Sequence, residues 1–524
     1  MMAGWEGGML LWLLGALLSR NVLANGCSRQ DEPCGHRIRQ LPGTEVSLSN
    51  WSHFSGYLKI PGDIEVFYQF TKHPDLTRPL IVWMSGGPGA SSLMGLFGEL
   101  GPFLLNGQSL PTATADGGWK LFSNPHGWHK EASLLAWEQP AGVGFSRCLR
   151  EPCPVWDDDS SALANLHVLL AFFDAYPGES KRALFITGES YAGIYVPLLA
   201  QNVHDHNTKQ QQAANRIRLR GIAVGNGCVG YATSGSCGKD SLDVFISYLE
   251  RSAPGVDRSA LTNSRAACGS ELSRGFQAAK EFSPQCRSAL ANLFEELGQF
   301  NVYHWSSPCG PEEQGNWGDG SAFSCGSESA QQKYFNTPEV QRDIHAIGDS
   351  DVKPKSWQMW DGDWPGYNIS RPDVISVYAQ LLKSGYDVLI YNGLRDSAVS
   401  IVGAEEWTVR LPCAIETARR KWADSAGRFS GHVTQYVGPK SSLGVSGRLT
   451  FATVEGAGHV VPADRPIAAR TMIGAFVGGL PLPDYRGAKC ERYWLGRGYG
   501  SFCETGSVDA GATAAEDDAL PTVI

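Results

Sequence analysis

Ser190 lies in a glycine-rich segment that could supply a nucleophile. Residues 188–193 read GESYAG, which resembles the G-x-S-x-G pattern. The segment follows the apolar run ALFIT and precedes the helix-compatible run IYVPLLAQNV. A sharp turn between a strand and a helix lifts a serine hydroxyl above the sheet, and the helix N-terminus favours developing negative charge. An ordinary glycine-rich turn is the alternative, but this context favours a catalytic serine.

A serine nucleophile needs a general base and a third group that orients the base. Asp396 follows the apolar run YDVLIY, and His459 follows the apolar run LTFATV. Both residues therefore stand in loops at the carboxyl ends of predicted strands, where open α/β sheets place their sites. The chain order serine, acid, histidine is that of α/β-hydrolases. Either residue alone would be unremarkable, but together they predict a triad with Ser190.

Backbone N–H groups must stabilise the oxyanion of an acyl-transfer intermediate. Residues 83–89 read WMSGGPG and follow a strand-like run, and such glycines let the backbone approach a substrate closely. The second donor would be the N–H of Tyr191, the residue after the serine. The alternative is a Gly/Pro loop with no special role.

Apolar runs that alternate with segments of helical spacing must position these residues. Residues 161–175 have leucines at helical spacing. This alternation predicts an α/β fold with a mostly parallel central sheet flanked by helices. The strand-like runs are residues 64–70, 80–84, 133–137, 183–187, 221–225, 386–391 and 449–454.

The alternation breaks after about Gly230, where Ser, Gly and Cys become frequent. Residues 231–335 are predicted to form an inserted, disulfide-rich helical cap. The α/β core would then comprise residues 25–230 and 336–504. Residues 505–524 are small and acidic, which predicts a disordered tail.

The N-terminus and the cysteines indicate export. Residues 1–24 are predicted to be a cleaved signal peptide, because their apolar run MLLWLLGALL is too short to span a bilayer. A buried helix or an anchor is the alternative. The chain has 13 cysteines, which favours an oxidising compartment and leaves at least one thiol free or paired between molecules. Asn50 and Asn368 stand in glycosylation sequons.

The charge and the cysteine spacing argue against nucleic-acid and metal partners. The formal net charge of −9 over 524 residues disfavours a nucleic-acid partner. No cysteine spacing matches a zinc site, and we expect neither a metal nor a cofactor. We expect a secreted, vacuolar or lysosomal protein with no stable membrane span, present as a monomer or homodimer.

Six blocks of the sequence are together similar to the serine carboxypeptidase family. This resemblance implies an α/β-hydrolase fold with a helical insertion above the active site. It also implies removal of C-terminal residues from peptides or proteins with a free C-terminus at acidic pH. The blocks are SGGPGASS (85–92), ELGPF (99–103), NPHGWHKEASLLAWEQPAGVGFS (124–146), ITGESYAG (186–193), GIAVGNG (221–227) and GAGHVVPADRP (456–466).

The resemblance assigns a role to each candidate site residue. Ser190 is the nucleophile, His459 the general base and Asp396 its orienting acid, while Gly87 and Tyr191 furnish the oxyanion hole. Glu99 and Glu189 would share a proton, because like charges placed so close raise one pKa. The substrate's terminal carboxylate would be held by Trp83, Ser85, Gly86, Glu99 and Glu189.

The sequence departs from the family at several of these positions. Ser85 replaces an asparagine, which weakens the expected recognition of a terminal carboxylate. Ala90 and Trp360 replace the two halves of a disulfide. Leu394 replaces an aspartate of the catalytic-acid loop, and Val460 replaces a methionine after the histidine.

Family spacing also suggests disulfide pairings in the cap, and other cysteines are close enough to pair. Cys413 is the candidate unpaired thiol. The suggested cap pairs are Cys268–Cys286 and Cys309–Cys325, and the close pairs are Cys148–Cys153 and Cys490–Cys503.

Two other functions stay open. The first is an acyltransferase or esterase that uses the same triad, which Ser85 favours. The second is a non-catalytic protective partner, against which an intact triad argues.

Overall fold

The computed structural model contains a mixed β-sheet with helices packed on both of its faces. None of the helices that it describes is long and apolar enough to cross a membrane. The predicted signal peptide and the predicted acidic tail both lie outside the described residues. The described residues are 33–44, 52–150, 152–233, 235–252, 256–298, 300–307, 325–348, 355–360, 366–442, 444–486, 491–494 and 499–502.

The predicted strands are present, and the structure adds others. The strands in chain order are β1 (Ser52–Ile60), β2 (Ile64–Lys72), β3 (Leu80–Met84), β4 (Phe103–Leu104), β5 (Phe122–Ser123), β6 (Ser133–Trp137), β7 (Arg147–Cys148), β8 (Trp156–Asp157), β9 (Leu184–Glu189), β10 (Leu219–Gly225), β11 (Tyr367–Asn368), β12 (Asp387–Gly393), β13 (Ala414–Ala423), β14 (Phe429–Val437), β15 (Arg448–Val454), β16 (Glu491–Trp494) and β17 (Tyr499–Phe502).

The α-helices separate many of these strands, as the alternating pattern predicts. They are α1 (Leu93–Gly98), α2 (Asp158–Ala175), α3 (Ala192–Lys209), α4 (Ser241–Ser252), α5 (Arg258–Cys268), α6 (Pro284–Leu297), α7 (Ser327–Phe335), α8 (Pro338–Asp343), α9 (Ile375–Lys383), α10 (Ile401–Thr408), α11 (Val461–Asp464) and α12 (Pro466–Val477).

The main sheet is parallel at its centre and antiparallel at its edges. In the described chain its order is β1-β2-β6-β3-β9-β10-β12-β15-β14-β13, with β7 beside β2. The six strands from β6 to β15 run parallel to one another. The strands outside them pair antiparallel. The prediction of a mostly parallel central sheet is therefore confirmed at the centre, while the antiparallel edges were not predicted.

The central strands are apolar on both faces because helices cover both faces. All five residues of β3 (LIVWM) are buried. Successive side chains of a strand point to opposite faces. Ile81 and Trp83 accordingly pack in a core that includes α12 residues, and Val82 and Met84 pack in a core that includes α2 and α3 residues. This burial on both faces fixes the positions of the parallel strands, whose carboxyl ends all lie on the same side of the sheet.

Helices α4 to α6 form the predicted inserted cap, and their apolar side chains share one small core. The predicted disulfide between Cys268 and Cys286 is present and joins the end of α5 to α6. Ile401 and Val402 of α10 pack in the same core. The cap therefore contacts the core just beyond the loop that carries the predicted catalytic acid. The boundaries 231–335 stay a prediction.

The described cysteines agree with an oxidised protein. The predicted Cys148–Cys153 disulfide is present. Cys413 is the free thiol among the described cysteines, as predicted. A disulfide between Cys228 and Cys237 was not predicted, although it closes a short loop directly after β10.

Some predicted features fall partly outside the described residues. Cys325 is disulfide-bonded, and Asn368 is exposed on β11. Cys309, Cys490, Cys503 and Asn50 lie outside the described residues.

Candidate active site

Ser190 occupies the turn between β9 and α3 with a positive φ of 62°. This conformation is strained for a residue with a Cβ, so the surrounding structure must hold it. The Ser190 N–H donates to the Gly225 carbonyl at 3.0 Å, and the Ser190 carbonyl accepts from the Cys228 N–H at 2.9 Å. Ala192 takes the second glycine position of the motif. Gly188 and Gly193 are both crowded, since a Cβ would lie 2.4 Å from the Met84 carbonyl oxygen and 2.1 Å from the Cys228 carbonyl oxygen respectively.

Asp396 and His459 meet at the carboxyl edge of the sheet. The His459 Nδ1 lies 2.6 Å from Asp396 Oδ2. The other carboxylate oxygen accepts from the backbone N–H groups of Ala398 and Val399 at 2.9 and 3.1 Å. Burial alone would lower the pKa of His459, but the charge and hydrogen bond of Asp396 raise it above its ordinary value. This imidazole is therefore held in one orientation and made more basic.

Asn226 is a third buried residue at this junction, and its sequence context alone predicted no role for it. Its Nδ2 donates to Asp396 Oδ2 at 2.8 Å. Its Oδ1 accepts from the Gly393 N–H at 3.0 Å. Its φ of 42° is one that asparagine tolerates better than most residues. The signal was the GNG sequence directly after β10, at the same edge as Asp396.

A segment that follows the cap helices lies across both catalytic loops. The Val302 carbonyl accepts from the N–H groups of Ser397 and Ala398, both at 3.0 Å. The Tyr303 backbone carbonyl accepts a hydrogen bond from the backbone N–H of His459 at 2.7 Å. The Tyr303 ring also packs on the imidazole, with ring centroids 4.9 Å apart. Sequence spacing could not reveal this contact, because it joins positions far apart in the chain.

The glycine turn after β3 lies directly against the serine. A Cβ on Gly86 would lie 2.4 Å from the Tyr191 nitrogen and 2.8 Å from the Ser190 Cβ. Gly87 has a φ of 106°, in the region that favours glycine. Among the described residues, neither the Gly87 N–H nor the Tyr191 N–H donates to another protein group. Two unpaired backbone donors therefore stand beside the serine.

Glu99 and Glu189 form a buried carboxyl pair, with 4% and 2% of their surfaces exposed. Burial raises the pKa of Glu99 to about 7. Burial, together with the charge of Glu99, raises the pKa of Glu189 well above its ordinary value. If both carboxyl groups were ionised, no group in the described chain would donate a hydrogen bond to either Glu99 oxygen or to the Glu189 Oε2. A shared proton gives the pair a hydrogen bond, so it keeps a proton in acid.

Ser85 lies beside this pair. Met84 pairs with Gly188 across β3 and β9, which brings the next residues, Ser85 and Glu189, side by side. Ser85 is fully buried, and its Oγ accepts from the Trp83 indole N–H at 3.3 Å. The structure thus gathers the polar residues predicted to bind a carboxylate next to the serine turn.

Comparison with known proteins identifies the family. A family model for serine carboxypeptidases matches residues 42–479. The chain belongs to the serine carboxypeptidase family. Its relatives include the lysosomal protective protein of Mus musculus, 31% identical over 516 residues, which cover 90% of this chain and 98% of that protein. A putative serine carboxypeptidase-like 30 of Arabidopsis thaliana is 29% identical over 502 residues, 91% and 96% of the two chains.

A solved carboxypeptidase shares the fold. The prohormone-processing carboxypeptidase of Saccharomyces cerevisiae aligns with a TM-score of 0.60 and 20% identity over 89% of this chain and 98% of that one. The predicted α/β-hydrolase fold, with an inserted disulfide-rich helical cap, is therefore confirmed.

Two departures from the family pattern have a structural consequence. Ala90 is fully buried and Trp360 is 43% exposed, so the positions of the family's disulfide hold no covalent link here. The same two segments are joined instead by the Ser91 N–H, which donates to the Met359 carbonyl at 2.9 Å. Leu394 replaces the acidic residue of the serine carboxypeptidase pattern and packs against the cap core.

Proposed function

We propose that this protein is a serine-type carboxypeptidase that removes C-terminal residues from peptides or proteins at acidic pH. The observation that carries this proposal is the buried Glu99–Glu189 pair next to the serine turn. A protonated carboxyl can donate a hydrogen bond to the carboxylate of a free C-terminus, which an ionised one would repel.

In this proposal Ser190 attacks the scissile carbonyl carbon through its Oγ. His459 accepts the Ser190 proton on Nε2, because Asp396 holds the proton on the other ring nitrogen, Nδ1. The N–H groups of Gly87 and Tyr191 stabilise the oxyanion that forms on the carbonyl oxygen. His459 then passes its proton to the departing amino group, and the C–N bond breaks. An acyl ester of Ser190 remains, and the C-terminal amino acid leaves.

Water then hydrolyses the acyl ester and regenerates Ser190. His459 takes a proton from water, and the resulting hydroxide attacks the acyl ester. The ester C–O bond breaks, the Ser190 oxygen recovers the proton from His459, and the shortened peptide leaves. No metal or cofactor has a role in this sequence of steps.

Two ionisations bound the proposed activity. The carboxyl pair contributes binding when it holds a proton, and this contribution is lost as the pH rises through the raised pKa values of Glu99 and Glu189. His459 must be neutral to accept a proton. Burial lowers its pKa, whereas the charges of Asp396 and Glu99 raise it, and protonation of the carboxyl pair in acid removes the Glu99 part of that rise; activity falls as the pH drops through the remaining pKa. Trp83, Ser85 and Gly86 complete the proposed carboxylate site.

A second candidate is an acyltransferase or esterase that uses the same triad. Ser85 favours it, because a single hydroxyl that already accepts from the Trp83 indole is a weaker partner for a carboxylate than an amide. The triad would then transfer an acyl group to an alcohol instead of hydrolysing a peptide.

We place the enzyme in the secretory pathway, as a secreted or a vacuolar or lysosomal protein. The disulfides Cys148–Cys153, Cys228–Cys237 and Cys268–Cys286 support an oxidising compartment. One relative is by name a lysosomal protein. The proposed partners are peptides with a free C-terminus.

The test compares N-blocked dipeptides with acyl esters of the same acyl group, and a separate sample of the protein is labelled with a fluorophosphonate to count active serines. The carboxypeptidase proposal expects labelling and release of free amino acid. Labelling with ester turnover but no amino-acid release would favour the second candidate. Failure to label would contradict both.

A further inference from the structure

Glu138 is a buried carboxyl group outside the site described above. It follows β6 directly and is fully buried. Its Oε1 accepts from the Ser91 hydroxyl at 2.5 Å and from the Trp357 indole N–H at 2.7 Å. Its Oε2 accepts from the Phe145 N–H at 2.5 Å. Gly144 makes room for this carboxyl group, because a Cβ there would lie 1.9 Å from Oε1.

The three donors stand on three separate segments. Ser91 belongs to the turn that carries Gly86 and Gly87. Trp357 belongs to residues 355–360. Its backbone forms hydrogen bonds with the side chains of Gln332 in α7 and of Asn336 just after α7. A single carboxyl oxygen therefore ties the glycine turn to residues 355–360.

These are the two segments that a disulfide joins in the family pattern. Here Ala90 and Trp360 cannot form it. Apart from the backbone bond between Ser91 and Met359, the polar link between the segments in the described chain is the one through Glu138. A buried bond of a hydroxyl or indole to a carboxyl is short and directional.

We propose that Glu138 is a positioning residue that fixes the Gly86–Gly87 turn opposite Ser190, in place of the missing disulfide. The inference rests on the proposed function, in which the Gly87 N–H stabilises the oxyanion. Loss of one oxyanion donor costs roughly 10²- to 10³-fold in turnover. A displaced donor should cost less, about 10- to 100-fold.

Two small substitutions cut the link; Trp357→Phe leaves no donor unpaired, whereas Ser91→Ala also removes the acceptor of the Leu93 N–H. Ser91→Ala removes the hydroxyl on the turn, and Trp357→Phe removes the indole N–H on the other segment. Each should lower kcat and the rate of reaction with a fluorophosphonate about 10- to 100-fold, with little change in KM. Because both act through Glu138, the double variant should lose about as much as the worse single variant.

The matched control is Asp424→Asn, which alters a buried carboxylate in the turn between β13 and β14. Asp424 also accepts several protein donors, among them the Ala426 and Arg428 N–H groups. This control should lower Tm and leave the phosphonylation rate unchanged. The rescue variant adds Ala90→Cys and Trp360→Cys to Ser91→Ala, with disulfide formation checked by mass. It should recover most of the lost rate.

The outcomes separate this inference from the proposed function. An unsubstituted protein that fails to react with the fluorophosphonate would overturn the proposed function itself. A reactive protein whose Ser91→Ala and Trp357→Phe variants lose Tm but keep the parent kcat would overturn only the positioning role. Additive losses in the double variant, or a formed disulfide that restores nothing, would do the same.

Discussion

Replacing Glu99 by glutamine should remove most of the pH dependence of C-terminal recognition and leave the acyl-transfer groups in place. Glutamine has nearly the same volume, and its amide donates a hydrogen bond at every pH. It also removes the negative charge that, after burial, contributes most to raising the pKa of Glu189. In the wild-type enzyme, loss of the Glu99 carboxyl proton should weaken binding of the substrate's carboxylate. The Glu99→Gln variant has no such ionisable proton to lose.

The size of the effect follows from the pKa of Glu99, which burial raises to about 7. At pH 5 nearly all of this carboxyl is protonated, and at pH 8 only about a tenth of it remains so. The wild-type preference for a free-acid peptide over its amide should therefore fall by up to about tenfold between these pH values, and by less where Glu189, whose pKa is also raised, still holds the proton of the pair. In the variant the same preference should change by less than about twofold.

The assay measures kcat/KM for an N-blocked dipeptide and its C-terminal amide at pH 5 to 8, on both proteins. Using the ratio of the two substrates cancels the titration of His459, which affects both reactions. Comparable melting temperatures are the control for folding. A free-acid to amide ratio that declines equally steeply in Glu99→Gln would refute the reasoning, because the proton being lost would not then be on Glu99.

Three further substitutions test the remaining groups. Asp396→Asn should lower kcat about 10⁴-fold by favouring the wrong imidazole tautomer of His459. Stopped assays with a soluble ester would measure this loss of kcat, and near-normal turnover would exclude Asp396 as the orienting acid. Asn226→Gly keeps the left-handed backbone but deletes a hydrogen bond to a charged group, worth roughly 1.5–3 kcal/mol; kcat should fall about 10- to 150-fold, and an unchanged kcat would contradict a role in holding Asp396. Ser85→Asn should raise kcat/KM for free-acid peptides about tenfold. An unchanged free-acid to amide ratio would show that position 85 does not contact the carboxylate.

The centre of the fold could be predicted because buried parallel strands leave continuous apolar runs that alternate with segments of helical spacing. Runs such as LIVWM are apolar at every position, as a strand covered on both faces requires, and the turn signals that flank them favour a strand over a buried helix. The β13–β14 hairpin was missed for the opposite reason. Most of β13 is exposed at the sheet edge and carries Arg419, Arg420 and Lys421, so it has neither a continuous apolar run nor a regular alternation.

The candidate site was predictable where local context marks a residue and unpredictable where long-range contacts do. Ser190, Asp396 and His459 each follow a strand, which one sequence can reveal. Asn226 also follows a strand, but only its 2.8 Å contact with Asp396 gives it a role. Tyr303 reaches His459 from more than 150 residues away in the chain. Spacing holds no information about such a contact.

The most direct test of the central claim is release of the C-terminal amino acid from an N-blocked dipeptide at about pH 5, measured for the wild-type protein and for Ser190→Ala. The account predicts steady release by the wild-type protein. It predicts a fall of roughly 10⁶-fold in the variant, because the covalent route is lost, with an unchanged melting curve. Release by Ser190→Ala at more than a few per cent of the wild-type rate would contradict the assignment of the nucleophile. A wild-type protein that reacts with a fluorophosphonate but releases no amino acid would contradict the carboxypeptidase function.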